Sequence, residues 1–180
     1  MRLRGHTNDK TRNQQGVGMI EVLVALLLLT VGVMGFIALQ IKAVDATDEA
    51  MSKIEAMNVA RDVAERIRVN KSALTTYVTE LNKTTQKKLA TSGLTKCLGS
   101  TACSAVKMAE YDVAQIVSQI QIVGMQIALP NCQVMGAVDR VCIYVAWADT
   151  KPINDLADKY ACTSGGAYLP EAKCIVMELY

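Results

Sequence analysis

Six cysteines, a single histidine and one carboxylate at the head of an apolar run are the residues here whose chemistry could set a function. The cysteines are Cys97, Cys103, Cys132, Cys142, Cys162 and Cys174, all in the second half of the chain. None is spaced C-x2-C or C-x4-C, and the histidine, His6, stands far away near the N-terminus. Zinc sites favour those short spacings or histidine partners, so no metal site and no cofactor is expected. An even cysteine count confined to one region points instead to disulfides and an oxidising compartment. Beyond His6 there is no imidazole to serve a triad, no Gly-rich phosphate loop and no convincing pair of carboxylates, which argues against an enzyme. The remaining residue of interest is Glu21.

What must position Glu21 is the segment behind it. Val22 to Leu39 contains no charge, Pro, Asn or Gln. Counted from Val17, the run reaches about 34 Å as a helix, close to the ~30 Å hydrocarbon core of a bilayer. Residues 17–39 are therefore expected to form a transmembrane helix. The chain of 180 residues carries a net charge of +2, and residues 1–16 hold Arg2, Arg4, Lys10 and Arg12 against Asp9. That basic leader stays cytoplasmic and sends the cysteines to the other side. Elsewhere acidic and basic residues are mixed, with no clustered cationic surface for nucleic acid. After Leu39 the sequence Gln40-Ile41-Lys42-Ala43-Val44-Asp45 offers no good A-x-A site for removal by ordinary signal peptidase. A carboxylate at the centre of a membrane span costs roughly 2.5–3.5 kcal/mol, so Glu21 is a functional candidate by default. At the interface it would merely favour the helix dipole.

The stretch Gly16-Val17-Gly18-Met19-Ile20-Glu21-Val22-Leu23-Val24-Ala25-Leu26 resembles the class III signal of type IV pilins and type II secretion pseudopilins. The resemblance implies cleavage between Gly16 and Val17 by a prepilin peptidase, with Glu21 as the fifth residue of the processed chain. The first residue of that chain is usually Phe or Met in the family and is Val17 here, which leaves N-methylation of Val17 open. Physics supports the role implied for Glu21. An unpaired carboxylate in an apolar filament core is costly, and the new amine at Val17 of a neighbouring subunit could pair with it and set axial register.

Beyond the span, Ile37, Ile41, Val44, Met51, Ile54, Met57, Ala60, Ala64 and Ile67 recur at spacings of mostly three, four and seven. The spacing predicts an amphipathic continuation over 40–69, its apolar stripe packed on the chain's own globular part. Residues 70–93 read as a short helix or loops, and contain the glycosylation-type triplets Asn70-Lys71-Ser72 and Asn82-Lys83-Thr84. Ser104 offers an N-cap to a helix from Ala105 to Leu129 that Pro130 stops, with Gly124 an unexplained weakness inside it. Residues 133–135, 140–147 and 174–180 read as strands, with turns at 136–139 and 163–166. The fold class is then α+β: a long N-terminal helix on a cysteine-rich head, residues 70–180, with a small antiparallel sheet. Spacing does not fix connectivity, but the preferred set is sequential: Cys97–Cys103, Cys132–Cys142 and Cys162–Cys174.

The head carries a second resemblance. The Cys97 and Cys103 pair, Ala109-Glu110-Tyr111-Asp112-Val113-Ala114-Gln115, Ala128-Leu129-Pro130 and Cys142-Ile143-Tyr144-Val145-Ala146-Trp147-Ala148-Asp149 are similar to the minor pilin PilV family, the type IV pilus modification proteins. A usual Trp after the Asp-x-Ala-Gln stretch is replaced by Ile116. The resemblance implies an inner-membrane protein with a periplasmic head that joins other minor pilins, the major pilin and the inner-membrane assembly platform to prime or cap a pilus. A minor pseudopilin of a type II secretion system and a tip-exposed adhesin or ligand-binding module are the other readings.

Overall fold

A computed structural model of the chain describes residues 18–86, 88, 97, 102–132 and 140–179. Met19–Val69 is one α-helix, α1. No Pro occurs in this stretch, Leu and Val dominate its first half, and alternating charge covers its second. Arg66 and Arg68 close the last turn, where cations complement the helix dipole. The chain divides into two units, Met1–Thr47 and Asp48–Tyr180.

In the first unit the described residues are all helical after Gly18, and all are exposed. Leu23, Leu27, Leu28, Leu29, Phe36 and Leu39 each leave more than half of their surface uncovered. An 18-residue window of this helix has a mean hydropathy of 2.8 and none of it is buried. The helix is long and apolar enough to cross a membrane.

In the second unit the chain continues through a 3-10 turn (Lys71–Ala73), α2 (Leu74–Leu81) and α3 (Ala105–Ile122). Among the described residues six strands follow: β1 (Gln126–Ala128), β2 (Cys142–Ala146), β3 (Lys151–Asn154), β4 (Ala161–Ser164), β5 (Ala167–Tyr168) and β6 (Cys174–Glu178). They form two three-stranded sheets, β1-β2-β6 and β3-β4-β5. The first is antiparallel throughout, with Ala146 opposite Cys174 and Cys142 opposite Glu178. In the second, β3 and β4 run parallel and β4 and β5 antiparallel.

Strand β2 organises the packing because both of its faces are buried. Side chains alternate across a strand, so Ile143 and Val145 point one way and Cys142, Tyr144 and Ala146 the other. The first pair joins the main core with Ala56, Ala60, Val63 and Ile67 of α1, Tyr77 and Leu81 of α2, and Val113, Ile116, Val117 and Ile120 of α3. Each fully buried Val, Leu or Ile contributes about 1.5–3 kcal/mol. The second set forms a smaller cluster around Cys162 and Cys174.

Three local expectations need correction. The helix from Ala105 ends at Ile122 instead of running to Leu129. Gly124 takes φ +70°, Met125 donates its N–H to the carbonyl of Ile120 (2.9 Å), and the chain leaves as β1. The positive φ suits glycine and accounts for Gly124. The buried stripe of α1 is Ala56, Ala60, Val63 and Ile67, whereas Met51 and Ile54 are 63% and 59% exposed. Two alanines, Ala56 and Ala60, lie on the core face together with Val63 and Ile67. Strands β3, β4 and β5 are additional to those read from the sequence. The predicted strand 133–135 and the turn 136–139 lie outside the described residues.

Candidate functional site

Two features combine: a carboxylate at the start of an uncovered apolar helix, and a stapled head that holds the other part of that helix. Glu21 lies in the first turn of α1, with its N–H donated to the carbonyl of Gly18 (2.9 Å). Its side chain is exposed, as are Met19, Ile20, Val22 and Leu23 around it. The helix satisfies its own backbone bonds, which apolar surroundings require. An unpaired carboxylate buried in such surroundings would be costly. Gly16 and Val17, the expected cleavage pair, lie outside the described residues.

The head is fixed by covalent and polar ties. Cys97 is bonded to Cys103, Cys132 to Cys142 and Cys162 to Cys174, the sequential arrangement. The second bridge ties the segment after β1 to the start of β2, and the third ties β4 to β6. Short loops of this kind stabilise by about 2–3 kcal/mol each. Among the described residues no group of His, Cys, Asp and Glu is arranged to hold a metal ion. Ser104 caps α3, accepting the N–H of Lys107.

The polar tie is a cluster around Asp112, which is 9% exposed on α3. The Arg66 guanidinium of α1 donates to Asp112 Oδ1 (2.8 Å), to Gln115 Oε1 (2.9 Å) and to Asp62 Oδ2 (3.0 Å). The Tyr77 hydroxyl of α2 donates to Asp112 Oδ2 (2.5 Å). One carboxylate thus joins three helices. Partial burial works to release the Arg66 proton, but the hydrogen bond to Asp112 and the charge of Asp62 outweigh it and hold the guanidinium more firmly protonated. Burial, then the bond to Asp112, raises the Tyr77 phenol well above its ordinary range.

Amide side chains close the edge of β1. Asn82 Nδ2 donates to the Leu129 carbonyl (2.9 Å) and Asn82 Oδ1 accepts the Leu129 N–H (2.8 Å). Gln86 Nε2 donates to the carbonyls of Leu81 (2.6 Å) and Ile127 (2.8 Å). These contacts blunt an edge that could pair with another strand. Asn70 likewise donates to the Ala105 carbonyl (2.7 Å), so both asparagines of the glycosylation-type triplets make structural contacts. Sequence reasoning missed the Asp112 cluster and the Asn82 contacts. Apart from Arg66 with Asp62, their partners lie 35 to 49 residues apart, and no short spacing announces them.

A long N-terminal apolar helix with a small α+β head, an antiparallel sheet and three disulfides is the architecture of a pilin-like protein. Comparison with protein families agrees. Residues 11–37 match the prokaryotic N-terminal methylation motif, and residues 38–114 match the family described as type IV pilin Tt1218. Over these adjoining segments the chain is similar to type IV pilins that carry a prepilin methylation motif. Neither the curated proteins nor the solved structures gave a match.

Proposed function

We propose that the protein is a minor pilin of a type IV pilus, of the PilV kind. It waits in the inner membrane with residues 1–16 as a cytoplasmic leader and the head in the periplasm. Prepilin peptidase cuts between Gly16 and Val17. The processed chain then joins other minor pilins at the assembly platform, where the complex primes or caps a fibre of the major pilin, and it finishes in the fibre itself.

The observation that carries this reading is Glu21 at the start of a helix whose membrane-length apolar window is wholly uncovered. A membrane anchor alone needs no carboxylate there, and the insertion cost of a few kcal/mol argues for a paired role. Pairing with the Val17 amine of a neighbouring subunit would offset that cost and fix the axial step between subunits. The disulfides support it, since a small head exposed outside the cytoplasm gains from covalent staples.

The test is incorporation. Glu21→Ala removes the carboxylate and leaves the helix intact. The variant should be cleaved at Gly16 and accumulate in the membrane, while its amount in sheared pili falls at least about ten-fold. Normal incorporation would reject the pairing role.

A further inference from the structure

A cleft of 790 Å³ in the second unit is lined by the ends of α2 and α3 and by strands β1 and β3. Its size is that of a small-ligand site. Six carboxamides line it: Asn82, Gln86, Gln121, Gln126, Asn131 and Asn154. Among the described residues that line it there is no Asp, Glu or aromatic side chain. Two lysines reach it, and both are compensated, Lys83 by Glu80 (2.5 Å) and Lys151 by Asp158 (2.6 Å).

The carboxamides differ in how far they are spent. Asn82 and Gln86 are tied to the backbone of Leu81, Ile127 and Leu129. Asn154 Oδ1 accepts from Thr163 Oγ1 (2.8 Å) and from the Gly166 N–H (3.3 Å), which leaves its NH2 group over. Gln121, Gln126 and Asn131 are exposed, and their side chains make no hydrogen bond among the described residues. Beside them Ala128, Pro130 and Ile153 offer a half-buried apolar surface.

This lining selects a class of ligand. A cation would find no carboxylate, and an anion only lysines already paired. An extended peptide would add to a strand edge through backbone bonds. At β1, however, Asn82 takes both the N–H and the carbonyl of Leu129, and Gln86 takes the carbonyl of Ile127. On β3, Pro152 has no N–H to give. What remains is a row of side chains that both donate and accept, as a hydroxyl group does.

We propose that this cleft binds a neutral pyranose saccharide. Gln121, Gln126, Asn131 and the Asn154 NH2 group hydrogen-bond its hydroxyls, and Ala128, Pro130 and Ile153 pack against the carbon face of a ring. A ring with hydroxyls on several carbons engages several amides at once, which a ligand with one polar group cannot do. No aromatic platform stacks on the sugar, so the affinity for one disaccharide is weak, on the order of 1 mM. The cleft lies within the head, and its ligand does not depend on the pilin reading.

The test is a magnetic-resonance titration of the full chain, labelled with heavy nitrogen, in micelles of a non-glycosidic detergent. An alkyl glycoside would compete for the cleft. Maltose, lactose and N,N′-diacetylchitobiose are the probes, each raised to about twenty times the expected dissociation constant. The signals followed are the side-chain NH2 groups of Gln121, Gln126, Asn131 and Asn154, assigned by single substitutions. At least one disaccharide should shift them saturably. Gln121→Met and Gln126→Met, at exposed positions, should each weaken that binding about five-fold, the loss of one hydrogen bond, with the melting temperature unchanged. Lys71→Ala, which does not line the cleft, should leave it as it is. No saturable shift with any of the three sugars overturns the proposal, as does binding that both Met variants retain in full. A blocked tetra-alanine peptide or inorganic phosphate that moves the same signals at lower concentration than any sugar also overturns it. None of these results bears on cleavage at Gly16, which is read separately.

Discussion

Replacing Asp112 with Ala should loosen the second unit more than any other single polar change in it. The carboxylate accepts from Arg66 of α1 and Tyr77 of α2 while sitting on α3, so its loss acts on three helices at once. Tyr77 has no exposed surface, and its hydroxyl would be left without the acceptor it now uses. An unsatisfied buried hydroxyl costs about 1–3 kcal/mol. Losing one partner of a fully buried ion pair costs about 3–5 kcal/mol, but that figure is too high here. The Arg66 side chain is 23% exposed and keeps both Asp62 and Gln115, so roughly 1 kcal/mol is the appropriate share. Together the change should cost about 2–4 kcal/mol, or a fall in melting temperature of roughly 6–15 °C for a unit of this size. The assay is thermal unfolding of the oxidised full chain in detergent, followed by near-ultraviolet circular dichroism. Tyr77→Phe provides the second corner of a double-mutant cycle, and Asp112→Ala/Tyr77→Phe should recover about 1 kcal/mol of the loss. An Asp112→Ala melting temperature within about 2 °C of the parent would refute the reasoning, since the cluster would then hold nothing.

The same cluster predicts an alkaline limit. Tyr77 has its folded pKa raised, so its contribution is fully present below the unfolded value of about 10 and is lost as pH rises toward the folded one. Stability of the parent minus that of Tyr77→Phe should therefore fall above about pH 10, as read by urea titrations at several pH values. Gly124→Ala should cost about 1 kcal/mol in the same titrations, because φ +70° strains any residue with a Cβ although the space around it is open. Replacing Cys132 and Cys142 together with Ala should cost about 2–3 kcal/mol, since that bridge closes a loop with a sequence separation of 10. An unchanged midpoint would show that the bridge constrains nothing the rest of the head does not already hold.

How much of this could be read from the residues varies along the chain. The uncharged run behind Glu21 needed no structure to be recognised as a membrane-length helix. The Ser104 cap, and strands β2 and β6 with their β-branched and aromatic residues, were legible for local reasons. The end of α3 was not. Val123, Met125, Ile127 and Leu129 alternate as a strand would, but with Ile120 they also fit a helical stripe. The choice falls to Gly124, whose φ a sequence does not display. The face of α1 was misjudged because two stripes overlap. Met51, Ile54 and Met57 look like the core side by hydropathy, yet Ala56, Ala60, Val63 and Ile67 are the residues the core buries. Strands β3 and β5 are short, and carry Lys151, Pro152 and Tyr168 among polar neighbours, so no periodic signal rose above the turns. Asp112 stood in plain sight as one carboxylate on a helix. Only the fold brings Arg66 and Tyr77 to it.

The central claim is that this chain is a processed pilin subunit, and its most direct test is the N-terminus of the protein recovered from sheared fibres. Intact mass and N-terminal sequencing should show a chain beginning at Val17, with or without one added methyl group, in which all six cysteines are oxidised. A chain in the same fraction that still carries residues 1–16, or a processed chain that never leaves the membrane for the fibre, would contradict it.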